Sequence, residues 1–154
     1  MAVHARNKKL DSAVDLGNIA KRTPGFSGAQ LENVLNEAAL LSVRGHKKAI
    51  TVHAIDEAID RVIGGPAKKS RKTTEDERKL IAFHEAGHAM IGLRLEDSQV
   101  VQKVTIIPRG DAGGYVLMTP KEEKMLQTKK QLINKITSYM GGRVSEEIRL
   151  GALS

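Results

Sequence analysis

His84-Glu85-Ala86-Gly87-His88 constrains this chain more than any other stretch of it. On an α-helix, residues four apart lie one above the other, so His84 and His88 present two imidazoles to one point. Two imidazoles are half of a tetrahedral zinc shell. Glu85 lies about 100° further round the helix, where it is not a third ligand but reaches a water at the metal's open position. Zinc lowers the pKa of such a water to about 7, and a carboxylate beside it takes the proton during attack on a carbonyl. The spacing is that of the H-E-x-x-H metallopeptidase motif. The competing reading makes both histidines packed core residues of a non-catalytic helical interaction module.

The flanking residues favour the metal. Thr74 with Glu77 is a capping box that starts a helix where the motif needs one. Ile81, His84, His88 and Ile91 form one stripe, which predicts imidazoles turned into the interior. Ala86 and Gly87 are small enough to let a neighbouring element or a substrate backbone come close. Cysteine is absent, which removes disulfides and thiolate sites and suits a reducing compartment. Any zinc is therefore held by His and carboxylate. No run has the apolar length of a membrane span, and no signal-peptide pattern follows Met1.

The net charge of +7 (25 basic minus 18 acidic residues) invites a nucleic-acid reading. Much of the excess lies in Lys68-Lys69-Ser70-Arg71-Lys72, with smaller clusters at Lys47-Lys48 and Lys129-Lys130. Aromatics are only 3% of the chain and none interleaves with these clusters, so nothing is placed to stack on bases. No nucleic-acid partner is expected. Solvated linker charge, facing an anionic membrane surface, fits better.

In order, the chain reads as mainly α. Val3 to Asn7 looks like the end of a helical element. Asp15 caps a short helix ending before Thr23-Pro24-Gly25, and Ser27 with Gln30 opens a second. That helix carries Leu31, Val34, Leu35, Ala38 and Leu41 at helical period until Gly45. Thr51 caps a third, with Ile55, Ala58, Ile59 and Val62, ending at Gly64-Gly65-Pro66. Residues 1–65 are thus a small helical bundle, and 66–73 are a basic linker. The motif helix follows, from about Glu75 to Leu95. Val100–Ile107 and Tyr115–Met118 read as a β-hairpin around a glycine-rich loop. Thr119-Pro120-Lys121-Glu122 has the cap, proline and glutamate of a helix start. Thr128 with Gln131 opens the last helix, apolar at Leu132, Ile133, Ile136, Met140, Val144 and Ile148. Gly141-Gly142 inside it weakens a helix, which predicts that another helix packs very close there.

Thr23 to Leu31 and Asn36-Glu37-Ala38-Ala39 resemble the lid helices of AAA+ ATPases. The zinc motif, Val104 to Gly110 and Tyr139-Met140-Gly141-Gly142-Arg143 resemble the peptidase part of FtsH. The resemblance implies a membrane-anchored, hexameric, ATP-dependent zinc endopeptidase that degrades membrane and soluble proteins. It implies a bacterial cell membrane location, with ATPase and peptidase domains on the cytoplasmic side. By this likeness residues 1–65 are the AAA+ lid, and 74–154 the first part of the peptidase domain. The family's transmembrane helices, Walker A loop and pore loop have no counterpart here. Its third zinc ligand, an aspartate, should fall beyond Ser154, so the expectation is a fragment that is inactive by itself. Carried over residue by residue, His84 and His88 match the zinc ligands and Glu85 the catalytic base. Gly28 and Ala29 match lid positions that approach ATP, and His4 a position near the ribose. Without the large ATPase subdomain these three are not expected to bind ATP measurably. His46 and His53 match nothing, and read as exposed helix-end residues.

Other zinc classes are testable by position. The metzincin pattern needs Gly at 91 and His at 94, where this chain has Ile91 and Arg94. Acidic candidates for the site are Glu96, Asp97, Asp111, Glu122, Glu123, Glu146 and Glu147. Glu146, one turn beyond the glycine pair, is expected near the site, orienting an imidazole N–H. The alternative is a surface carboxylate paired with Arg143 or Arg149. If a hairpin strand borders the zinc cleft, an unfolded substrate could add to it as a further strand, through backbone hydrogen bonds that ignore sequence.

Overall fold

A computed structural model of the chain describes residues 1–68, 70, 72–95, 99–121 and 126–151. It divides into two compact units, Met1–Ala67 and Lys68–Ser154. Six helices and one two-stranded antiparallel sheet make up the described residues, a mainly α fold with a short hairpin.

The first unit holds α1 (Ala2–Ala5), α2 (Leu16–Arg22), α3 (Gly28–Arg44) and α4 (Val52–Gly64). Each of the last three starts where a side-chain oxygen satisfies an orphan amide: Asp15 accepts from Gly17, Ser27 from Gln30 and Thr51 from Ala54. Ser27 and Gln30 form a full capping box. The apolar period then does its work: Val34, Ala38, Ile55, Ala58 and Ile59 interlock with Ile19 and Ile50 in one core. Half-buried ion pairs lie beside it, from Arg22 to Asp56 and from Arg61 to both Glu37 and Glu57.

The second unit holds α5 (Glu75–Arg94), β1 (Gln99–Thr105), β2 (Tyr115–Pro120) and α6 (Lys129–Leu150). Thr74 caps α5 by accepting from the Glu77 amide, and Thr128 with Gln131 caps α6 reciprocally. β1 and β2 pair from Gln99 opposite Pro120 to Thr105 opposite Tyr115, with a bulge between Val101 and Lys103. The Gln102 side-chain amide donates to the Thr119 hydroxyl at 3.0 Å.

Two sequence expectations are overturned here. Thr119 and Pro120 do not start a helix; they finish β2. Thr119 is buried and bonded to Gln102, and Pro120 stands at the strand end, where a missing N–H is tolerated. Glu122 of that expected start lies outside the described residues, as do Glu96, Asp97 and Glu123. The apolar period of α6 also misleads about which face packs. Leu132, Ile133, Ile136, Met140, Val144 and Ile148 are all exposed, while Ser138, Gly141, Gly142 and Glu146 are buried. Among the described residues no helix is long and apolar enough to cross a membrane.

Candidate metal centre

α5 and α6 cross where neither has side chains to keep them apart. A Cβ on Gly87 would stand 2.2 Å from the Gly141 carbonyl oxygen, and one on Gly141 would stand 2.8 Å from that of Gly87. The two backbones are in contact, as the paired glycines of α6 predict. This closeness carries α6 past the motif histidines, and α6 supplies a partner to each.

His84 Nδ1 lies 2.5 Å from Glu146 Oε1, and His88 Nδ1 lies 2.8 Å from the Ser138 carbonyl oxygen. A carbonyl oxygen only accepts, so His88 carries its proton on Nδ1. The Glu146 carboxylate, 1% exposed, draws the His84 proton to Nδ1 in the same way. Each Nε2 is then left as the lone-pair end of its ring, and the two Nε2 atoms stand 3.0 Å apart. Two nitrogens on one tetrahedral zinc, at about 2.0–2.1 Å each, stand about 3.3 Å apart. The pair is thus set at the spacing a shared metal needs, with the outer hydrogen bonds that orient ligating imidazoles already made. Burial of Glu146 excludes its reading as a surface carboxylate.

The stripe expectation is corrected in detail. Ile81, His84, His88 and Ile91 are all half-buried, whereas the deepest positions of α5 are Glu85, Gly87, Ala89 and Gly92. Small residues admit α6 on one side and the hairpin on the other. A Cβ on Gly92 would touch Met118 and Val101, and one on Gly114 would stand 3.1 Å from Glu85 Cγ. The hairpin end therefore lies directly on the base candidate. Glu85 is only 7% exposed, and its burial holds its carboxyl above the usual carboxylate range, against the opposing pull of His84 and His88.

Among the described residues no group of three His, Cys, Asp or Glu is arranged to hold a metal. The described residues fit zinc with two imidazole ligands. In the first unit, His4 is half-buried, with Nδ1 3.9 Å from Glu32 Oε2. Exposed Gly28 opens α3, and a Cβ there would stand 4.0 Å from His4 Nε2; Ala29 is exposed beside it. The fold thus brings His4 and Gly28 together. His53 is exposed on α4, and His46 follows the C-cap of α3. Two residues that the sequence reading missed are Ser138, which acts through its backbone oxygen, and Gly114. A carbonyl carries no side-chain signal, so Ser138 was not legible.

A family model for peptidase family M41 matches residues 71–154, and one for the AAA+ lid domain matches residues 13–60. The chain is 58% identical over 154 residues to the ATP-dependent zinc metalloprotease FtsH of Bacillus subtilis, covering 100% of this chain and 24% of that protein. It is 58% identical over 151 residues to the protein of the same name from Mesoplasma florum, covering 98% of this chain and 23% of that one. To the one from Oenococcus oeni it is 60% identical over 146 residues, covering 95% and 20%. The chain thus spans a quarter or less of the length of these curated relatives.

Proposed function

The chain belongs to peptidase family M41, and from that membership we propose that it carries two zinc ligands and the catalytic base of an ATP-dependent zinc endopeptidase of FtsH type. One observation carries the reading: the His84 and His88 Nε2 atoms converge to 3.0 Å while each Nδ1 is held by an acceptor. Zinc, when bound, would polarise the scissile carbonyl and acidify a water. His84 and His88 offer their Nε2 lone pairs, and Glu146 and the Ser138 carbonyl keep both rings in the right tautomer. Glu85 takes the proton of the attacking water on its carboxylate and hands it to the leaving nitrogen. Its raised affinity for a proton suits both halves of that transfer. A third ligand, a carboxylate, comes from outside the described residues.

Residues 1–65 would be the AAA+ lid, with His4, Gly28 and Ala29 on its ATP side, residues 66–73 a basic linker, and 74–154 part of the peptidase domain. The match to the AAA+ lid and the names of the relatives support this division. In the longer protein the partners would be unfolded or membrane protein substrates and five further copies in a hexamer. Anchoring in a bacterial cell membrane, with these domains on the cytoplasmic side, would come from segments other than these. The hairpin end against Glu85 suits a substrate that docks as an added strand.

The test uses the full-length protein containing this chain, measuring bound zinc and hydrolysis of an unfolded protein. His84→Ala and His88→Ala should each lose both. Glu85→Gln should keep zinc and lose hydrolysis by about 10²–10⁴-fold. Hydrolysis at the parent rate in Glu85→Gln would remove Glu85 as the base.

A further inference from the structure

Gly141 and Gly142 stand together inside the 22-residue helix α6, where each is about 1 kcal/mol less favourable than alanine. Helix crossing accounts for the first. A Cβ on Gly141 would meet the Gly87 carbonyl and Ile91, so α5 leaves no room for it. It does not account for the second. The three atoms nearest a Cβ on Gly142 all belong to the His84 ring: Nε2 at 2.6 Å, Cδ2 at 2.7 Å and Cε1 at 2.7 Å. Near-equal distances to three consecutive ring atoms place that carbon over the ring face, at its Nε2 end. The imidazole therefore lies flat against the backbone of α6, in the space a side chain would fill.

One turn further along the same face of α6, Glu146 holds Nδ1 of the same ring. α6 thus grips His84 at two points, the ring face at residue 142 and the Nδ1 edge at residue 146. The ring's Nε2 faces His88 Nε2 at 3.0 Å. A terminal ring can often swing aside to admit a methyl group, but here the swing carries Nδ1 away from Glu146. That would leave a carboxylate of 1% exposure without this partner. The ring is held in place by the cost of releasing it.

We propose that Gly142 is a positioning residue for the metal site: its missing side chain sets the plane of the His84 imidazole and thereby the aim of Nε2. This rests on the reading of His84 as a zinc ligand, and deepens it.

The experiment compares the chain with its Gly142→Ala variant in three measurements. Without metal, the imidazole N–H proton shared with Glu146 should give a strongly low-field resonance, lost in the variant. With metal, zinc affinity should fall at least tenfold, and the visible absorption of the cobalt form should change. Thermal unfolding of the metal-free chains supplies the third. Gly142→Ala should lower Tm in the parent but raise it in a His84→Ala background, where the ring is gone and only helix propensity remains. Equal lowering in both backgrounds would assign Gly142 to helix crowding and overturn the proposal. So would a retained resonance or unchanged affinity. If neither the parent chain nor the full-length protein bound zinc or cobalt, the ligand reading would fail, and the two metal-free measurements would still decide whether Gly142 places the ring.

Discussion

His46 takes a positive φ of 52° just after α3, in the place where helices most often put glycine. The Lys47 amide donates to the Ser42 carbonyl and the His46 amide to that of Val43, so the chain must turn left-handed there to satisfy the last carbonyls. Histidine tolerates this region better than a β-branched residue but less well than glycine. Replacing His46 with glycine should stabilise the first unit by about 1 kcal/mol, read as a higher denaturation midpoint. Glu146 works by a different physics, through charge and burial. Glu146→Gln keeps the shape but weakens the pull on the His84 proton, and loss of such an outer partner typically costs 10–100-fold in metal affinity. A zinc competition titration on the full-length variant checks this, and an affinity within twofold of the parent would contradict it.

At the scale of elements, the α5–α6 contact follows a rule that apolar periodicity does not express. Two helices meet backbone to backbone through Gly87 and Gly141, Gly142 lies against the His84 ring, and the larger apolar residues of α6 face outward. Gly87→Ala would raise helix propensity yet force the backbones apart, so it should destabilise the second unit by about 1–3 kcal/mol. A lower Tm with unchanged helical content at 20 °C is the expected result, and a higher Tm would mean that the crossing has room. The hairpin is tied to α5 in the same way, by Gly92 beneath Met118 and Gly114 beside Glu85. On α6 the glycines mark contacts, and the large apolar side chains are exposed.

For the molecule as a whole, two imidazoles without a third described ligand set the expected metal binding. The chain alone should bind zinc at one site, weakly, and lose it in His84→Ala. The full-length protein should bind at least a hundredfold more tightly, because a third ligand adds to a pair already in place. Equal affinity in the two, measured by competition with a chelator, would mean that these residues hold a complete site.

Local signals were legible because they are local. Asp15, Ser27, Thr51, Thr74 and Thr128 all cap the helices that their positions announce, since a side-chain oxygen reaches an amide two or three residues on. The H-E-x-x-H spacing likewise brings His84 and His88 together on one helix, and the apolar period of α3 and α4 marks the core that they share. Pro120 was misread because a strand end and a helix start both accept a residue without an N–H, and only pairing with β1 separates them. What tertiary structure alone decided is how the imidazoles are held. Glu146 stands 62 residues from His84, and the Ser138 carbonyl 50 residues from His88. No periodicity reports on partners so distant. The α5–α6 crossing brings them there, and it depends on the absence of side chains at Gly87 and Gly141.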